Sequence, residues 1–90
     1  MKIRHDEAQS RFESDHEEPA VLAYDKKEAG TLDLHHTAVP PSLEGQGVGS
    51  QLVRYAIDYA RAEGVKIIPT CGFVRSWLDR HPDQTDVVAS

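Results

Sequence analysis

Ninety residues suffice for one small domain, spanning residues 1–90, at the size where a single core holds without staples. The shares of apolar (39%) and charged (28%) residues are those of an ordinary globular protein. A net charge of −5 excludes a nucleic-acid surface, because neutralising phosphate backbones takes clustered cations, and the only adjacent basic pair, Lys26-Lys27, is followed by Glu28. No run approaches the ~18 apolar residues that cross a bilayer. The single cysteine, Cys71, permits no internal disulfide framework and favours a reducing compartment. With no apolar signal region after Met1, a cytoplasmic location is expected.

Lys2 to His5 is expected as a short strand, followed by a turn over Asp6 to Ser10 and a weakly alternating strand over Arg11 to Asp15. A second turn, Asp15 to Glu18, leads into a strand from Pro19 to Asp25. There Ala20, Leu22 and Tyr24 share one face, with Val21 and Ala23 on the other. Lys26 to Gly30 closes a third turn. In the next strand, Thr31 to Thr37, strict alternation puts Leu32, Leu34 and His36 together. Such short turns favour an antiparallel meander.

The period then changes from two to 3.6. Val48, Leu52, Tyr55, Ala56, Tyr59 and Ala60 line one side of a helix, widened by Val53 and Ile57, and Gly64 is a natural stop. Val65 to Pro69 is a short β-branched run and reads as a buried strand. Phe73, Val74, Trp77 and Leu78 recur at helical spacing from Gly72 to Arg80, and His81-Pro82 ends that helix. The polar tail, Asp83 to Ser90, is expected to fray. The fold class is therefore α+β with an α/β-type core: an antiparallel β-meander followed by a β-α-β-α unit with a right-handed crossover.

The stretch Pro40-Pro41-Ser42-Leu43-Glu44-Gly45-Gln46-Gly47-Val48-Gly49-Ser50 stands at the foot of the long helix. Three alternating glycines let a ligand approach the backbone, and the unpaired N–H groups of a first helical turn attract anions. A tight turn with no ligand would need fewer glycines. No lysine follows, as a P-loop requires, and G-x-G-x-x-G fails at Ser50 and at Leu52. Pro40-Pro41 and Pro69 should weaken pairing between the two flanking strands at their C-terminal ends. Ligands of α/β sheets bind at such ends, and an extended amide-bearing arm can pair there like an extra strand.

The spacing Glu44-x-x-Gly47-x-Gly49 resembles the Q/R-x-x-G-x-G/A signature of the GCN5-related N-acetyltransferases (GNAT superfamily). His36-Thr37-Ala38-Val39-Pro40-Pro41 and Pro69-x-Cys71-x-Phe73-Val74-x-x-Trp77-x-x-Arg80-His81-Pro82 look like its short, single-domain branch, so the likeness covers nearly all of the chain. It implies a minimal acyl-CoA N-acyltransferase fold and transfer of an acetyl group from acetyl-CoA to a small-molecule or protein amine. It also implies a coenzyme pyrophosphate held by the backbone amides of Gly45, Gln46, Gly47, Val48, Gly49 and Ser50, and a thioester carbonyl polarised by a backbone N–H near Val39. Glu44 departs from the Gln or Arg of the signature and adds negative charge. Trp77 offers only an indole N–H where relatives carry a hydroxyl, so no acid role falls to it.

Two side chains are candidates for the chemistry. Cys71, at the end of the last strand, is a thiol that can take up an acetyl group, or a small buried hydrophobe. His36, just before the loop, is suited to general-base work near neutral pH, or is simply half-buried. His35-His36 is not expected to be a metal pair, because neighbours on a strand point to opposite faces, and no metal is expected. The alternative function is a coenzyme A or acetyl-CoA binding module with little or no catalysis, which Glu44 and Trp77 favour; a third reading is an interaction domain with an empty loop.

Overall fold

The computed structural model describes residues 2–89, without the side chain of Ala29. Met1 and Ser90, the ends of the expected N-terminal run and polar tail, lie outside the described residues. Five strands form one sheet in the order β1-β2-β3-β4-β5: β1 Ile3–Asp6, β2 Arg11–Ser14, β3 Val21–Lys27, β4 Thr31–Ala38 and β5 Lys66–Ile68. The first four pair antiparallel, and β5 returns parallel to β4 after helix α1, Val48–Glu63. Helix α2 spans Gly72–Arg80. The meander and the β-α-β-α unit expected from the periodicities are both present.

Alternation decides the meander. Ala20, Leu22 and Tyr24 are buried, while Val21 and Ala23 are only half-buried. Lys26 and Lys27 belong to β3 rather than to the following turn, which shrinks to a 3₁₀ segment at Glu28–Gly30. Glu13, on β2, is buried and receives Nε–H of Arg11 at 2.9 Å and the guanidinium of Arg4, so its charge is paired.

Helix α1 starts after Gly47 and ends at Gly64, both in the left-handed region at φ 75° and 69°. Only glycine adopts that conformation without cost, which explains both boundaries. The helix packs on β2, β3, β5 and α2, and this wide contact shifts its buried stripe. Val53 and Ile57 are fully buried at the centre of the stripe, whereas Tyr55, expected among the buried set, is 38% exposed and leans edge-on against Phe12.

Helix α2 buries Val74, Trp77 and Leu78 but leaves Phe73 exposed. Its C-cap is His81, whose Nδ1 bonds the carbonyl oxygen of Trp77 at 2.8 Å and whose ring stacks on the Trp77 indole. Through Ala89 the tail is tied to the domain rather than frayed. A 3₁₀ segment, Pro82–Val87, buries Val87; Val88 bridges to Ile67, and the Ala89 N–H donates to the Ile67 carbonyl at 2.8 Å. Arg61 grips the Asp86 carboxylate at 2.8 Å, and Lys66 Nζ donates to the Asp86 carbonyl. One apolar anchor and these polar ties suffice to order it. In β5 only Ile67 is buried, because the strand is three residues long and its neighbours face outward.

Trp77 is 2% exposed and joins α2 to α1 through the Arg54 guanidinium, which lies 5.3 Å from its ring. Truncating Trp77 to alanine is expected to cost about 3–5 kcal/mol. Urea denaturation measures this, and Trp77→Phe should retain more of the stability than Trp77→Ala.

Candidate functional site

The sheet opens between β4 and β5. Their ladder covers Thr31↔Lys66, Leu32↔Ile67 and Asp33↔Ile68 and stops there, while β4 continues to Ala38. The next residue of the β5 chain is Pro69, which has no N–H to donate. Two bonds still tie the loop to β4: the Thr70 hydroxyl donates to the Asp33 carboxylate, and the Cys71 N–H donates to the Leu34 carbonyl at 2.9 Å. Arg75 Nη1 donates to the carbonyls of Pro69 and Thr70 and braces the loop. The weakened pairing expected from the prolines is therefore what the strands show.

Beside the gap lies the glycine cradle. A 3₁₀ turn, Pro41–Leu43, is anchored by the buried Leu43, and the chain then passes through Gly45 and Gly47 in the left-handed region. Gly47 is the N-cap of α1 rather than a residue inside it, and no side chain caps the helix. The Gln51 N–H donates to the Gly47 carbonyl at 3.1 Å. The N–H groups of Val48, Gly49 and Ser50 accordingly have no partner within the helix and carry the positive end of its dipole. They border a cavity of about 270 Å³ lined by Val39, Glu44, Gly45, Gly47, Val48, Gly49, Ser50 and Phe73.

Gly49 is required by proximity. A Cβ there would stand 2.9 Å from Cζ of Phe73 and 3.5 Å from Cγ2 of Val39, so any side chain would crowd the cavity wall. Six of the expected cofactor residues thus converge on one cavity: Val39, Gly45, Gly47, Val48, Gly49 and Ser50. Gln46 does not line it; its side chain turns back and donates to the Ser42 carbonyl at 3.0 Å. Phe73 was read from the sequence as part of the α2 stripe and of the Cys71-x-Phe73-Val74 segment, not as a cavity residue. The signal that it faces the cavity is its position two residues after Cys71, at the start of α2.

The two candidate side chains separate. Between β3 and β4 the register slips, with Ala23 opposite His36 but Tyr24 opposite Leu34, so His35 is an unpaired bulge residue. The extra residue breaks the alternation. His36 is therefore exposed and not on the Leu32/Leu34 face, and Thr37 takes the place expected for it. Thr37 Oγ1 lies 3.4 Å from Cys71 Sγ.

Cys71 is half-buried, packed against the core at the N-cap of α2. Burial pushes its thiol up, but the Thr37 hydroxyl and the N–H groups of Val74, Phe73 and Thr37 together outweigh burial and bring the pKa below the ordinary thiol value. No cap bond is formed to the neutral thiol; these donors act on the thiolate. Trp77 lies in the core and is no part of this cluster. A second, larger groove of about 530 Å³ runs between α2 and the C-terminal segment, lined by Pro69, Gly72, Arg75, Ser76, Leu78, Asp79, Thr85 and Val88.

The model of the family described as GCN5-related N-acetyl-transferase matches residues 9–87, from the turn before β2 to the C-terminal 3₁₀ segment. The chain belongs to the GCN5-related N-acetyltransferase family. Among similar proteins, protein NATD1 of Xenopus tropicalis is 28% identical over 85 residues, covering 91% of this chain and 78% of its own. Protein NATD1 of Homo sapiens is 27% identical over 85 residues, covering 91% and 75%. The solution structure of a GCN5-like protein from Staphylococcus aureus superposes with a TM-score of 0.76 at 28% identity, covering 99% of this chain and 88% of the other. The family's α+β fold is thus present in a short form. No helix among the described residues is long and apolar enough to cross a membrane.

The Cys71 environment has a direct readout. The rate of alkylation by iodoacetamide should rise with pH through a midpoint below the ordinary thiol value. Thr37→Val should move that midpoint upward, since the hydroxyl favours the thiolate. A midpoint unchanged by Thr37→Val would contradict the assignment of the Thr37 bond.

Proposed function

We propose that the chain is an acetyl-CoA-dependent N-acetyltransferase that acts on a small-molecule or protein amine. The observation that carries this reading is the coincidence of the uncapped α1 N-terminus, the glycine-lined cavity and the β4–β5 gap at one end of the sheet. The cavity fits the group: positive-φ glycines expose backbone, a side chain at Gly49 would fill the space, and free N–H groups suit phosphate oxygens. In this reading the amides of Gly45 to Ser50 hold the pyrophosphate, and the unpaired edge of β4 holds the pantetheine arm in the manner of a strand. Acetyl-CoA supplies the activated acetyl thioester.

The chain's own groups do the rest. The backbone N–H near Val39 polarises the thioester carbonyl. Cys71 is the proposed acceptor within the protein. Its thiolate forms a bond to the acetyl carbon as the bond to the coenzyme sulfur breaks, and the departing thiolate takes a proton from solvent. An incoming neutral amine then forms the N–C bond, the Cys71 S–C bond breaks, and the amine gives up a proton. Four donors stabilise the Cys71 thiolate at the start and at the end of this sequence. His36 remains a proposed general base from its exposed position on β4, where it is open to solvent and to an amine approaching from outside the core.

The alternative, a coenzyme A binding module with little catalysis, is favoured by one observation. Among the described residues no tyrosine hydroxyl lines the cavity, and Trp77 is sequestered in the core. Thiol release across a panel of amines separates the two readings: turnover supports the transferase, and binding without release supports the module.

Acetyl-CoA at 100-fold over its Kd should stabilise the native chain by ~2.7 kcal/mol, read as a rise in Tm. Intact mass after incubation should show one added acetyl group that is absent in Cys71→Ala. No Tm shift at millimolar acetyl-CoA would sink both cofactor readings, whereas a shift without the added mass would remove only the covalent role of Cys71.

A further inference from the structure

The cradle's charge is unusual for a phosphate site. Glu44 lines the cavity, and no Lys or Arg lines it among the described residues. The cations of α1 and α2 that could turn toward it are engaged elsewhere, Arg75 with the carbonyls of Pro69 and Thr70 and Arg54 with the face of Trp77, and the Gln46 amide donates to the Ser42 carbonyl. Attraction for an anion therefore comes from backbone N–H groups and the helix dipole alone, and the acidic Glu44, exposed to solvent, is among the lining residues. The whole chain adds a net charge of −5. Affinity for a polyanionic ligand is thus opposed at short range by Glu44 and at long range by the protein's own field.

The rest of the cavity is apolar or neutral, with Val39, Val48 and Phe73 at its walls, and it adjoins the unpaired backbone of β4. These surfaces suit an uncharged amide chain. We propose that Glu44 is a specificity-determining residue that discounts the phosphates, so that acyl donors are recognised chiefly through the pantetheine arm. The donor class is then pantetheine thioesters with or without the nucleotide. This inference rests on the coenzyme reading of the cavity. Because Glu44 is exposed and its side chain makes no hydrogen bond or ion pair among the described residues, it is free to be exchanged without loss of the fold.

The test compares Kd values for acetyl-CoA and for S-acetyl-pantetheine, which lacks every phosphate, in the native chain and in Glu44→Gln and Glu44→Ala, by calorimetry. Removing one carboxylate from the wall of an exposed anion site is expected to tighten acetyl-CoA binding about tenfold. Binding of S-acetyl-pantetheine should stay unchanged, so the preference for the nucleotide-bearing donor grows by the same factor. The gap between native chain and variant should narrow at high ionic strength, where exposed charges are screened. Equal or weaker acetyl-CoA binding in both variants, or an equal gain for the phosphate-free donor, overturns the inference and leaves the coenzyme reading standing. If neither donor binds the native chain or the variants, the coenzyme reading falls and takes this inference with it.

Discussion

A parallel strand pair that cannot stay paired is the constraint on which the site depends. β4 and β5 share three residue pairs, and then Pro69 removes the next donor while β4 continues. Two strands so separated leave backbone groups without ladder partners, and polar backbone must be satisfied by something. The loop from Pro69 to Cys71 is held in this diverged path by Arg75 and by the bond from the Cys71 N–H to the Leu34 carbonyl. A residue with an N–H at position 69 would have given the ladder a donor with which to continue.

The second element is α1, whose buried face is welded to β2, β3, β5 and α2 while its first turn is left uncapped. Packing fixes the helix so that its free N–H groups border the cavity beside the diverging strands. Gly47 turns the chain through a positive φ, and Gly49 allows Phe73 and Val39 to approach. Cys71 does not line the cavity; it stands at the foot of α2, two residues before Phe73, which does, with Thr37 as its hydroxyl partner. Anion-attracting backbone, open strand edge and a thiol with a lowered pKa lie in chain segments far apart in sequence. The fold brings them to one end of the sheet.

Most of this was legible in the residues, and the exceptions have physical causes. The strands, α1 with its terminal Gly64, α2 from Gly72 to Arg80 and the proline-weakened pair all followed from periodicity and from the donors that proline lacks. The bulge at His35 did not. A bulge leaves no mark in an alternating pattern, so His36 was placed on the core face that Thr37 occupies. The tail was misjudged because its composition is polar, and one buried Val87 with the Arg61–Asp86 pair orders it through long-range contacts. Tyr55 lies at the margin of the α1 stripe, over Phe12 of β2, and periodicity within α1 does not report where the sheet beneath it ends. Glu44 was visible as a departure, but only the cavity showed it among lining residues that, of those described, include no Lys or Arg.

The central claim is that the glycine cradle and the β4–β5 gap form one binding site. The most direct measurement is a titration of the ¹⁵N-labelled chain with acetyl-CoA, followed by amide chemical shifts. The account predicts that the amides of Gly45 to Ser50, of Thr37 to Val39 and of Cys71 to Phe73 move together along one binding isotherm. Shifts confined to the groove at Arg75, Asp79, Thr85 and Val88, or movement of the loop without the strand edge, would contradict it.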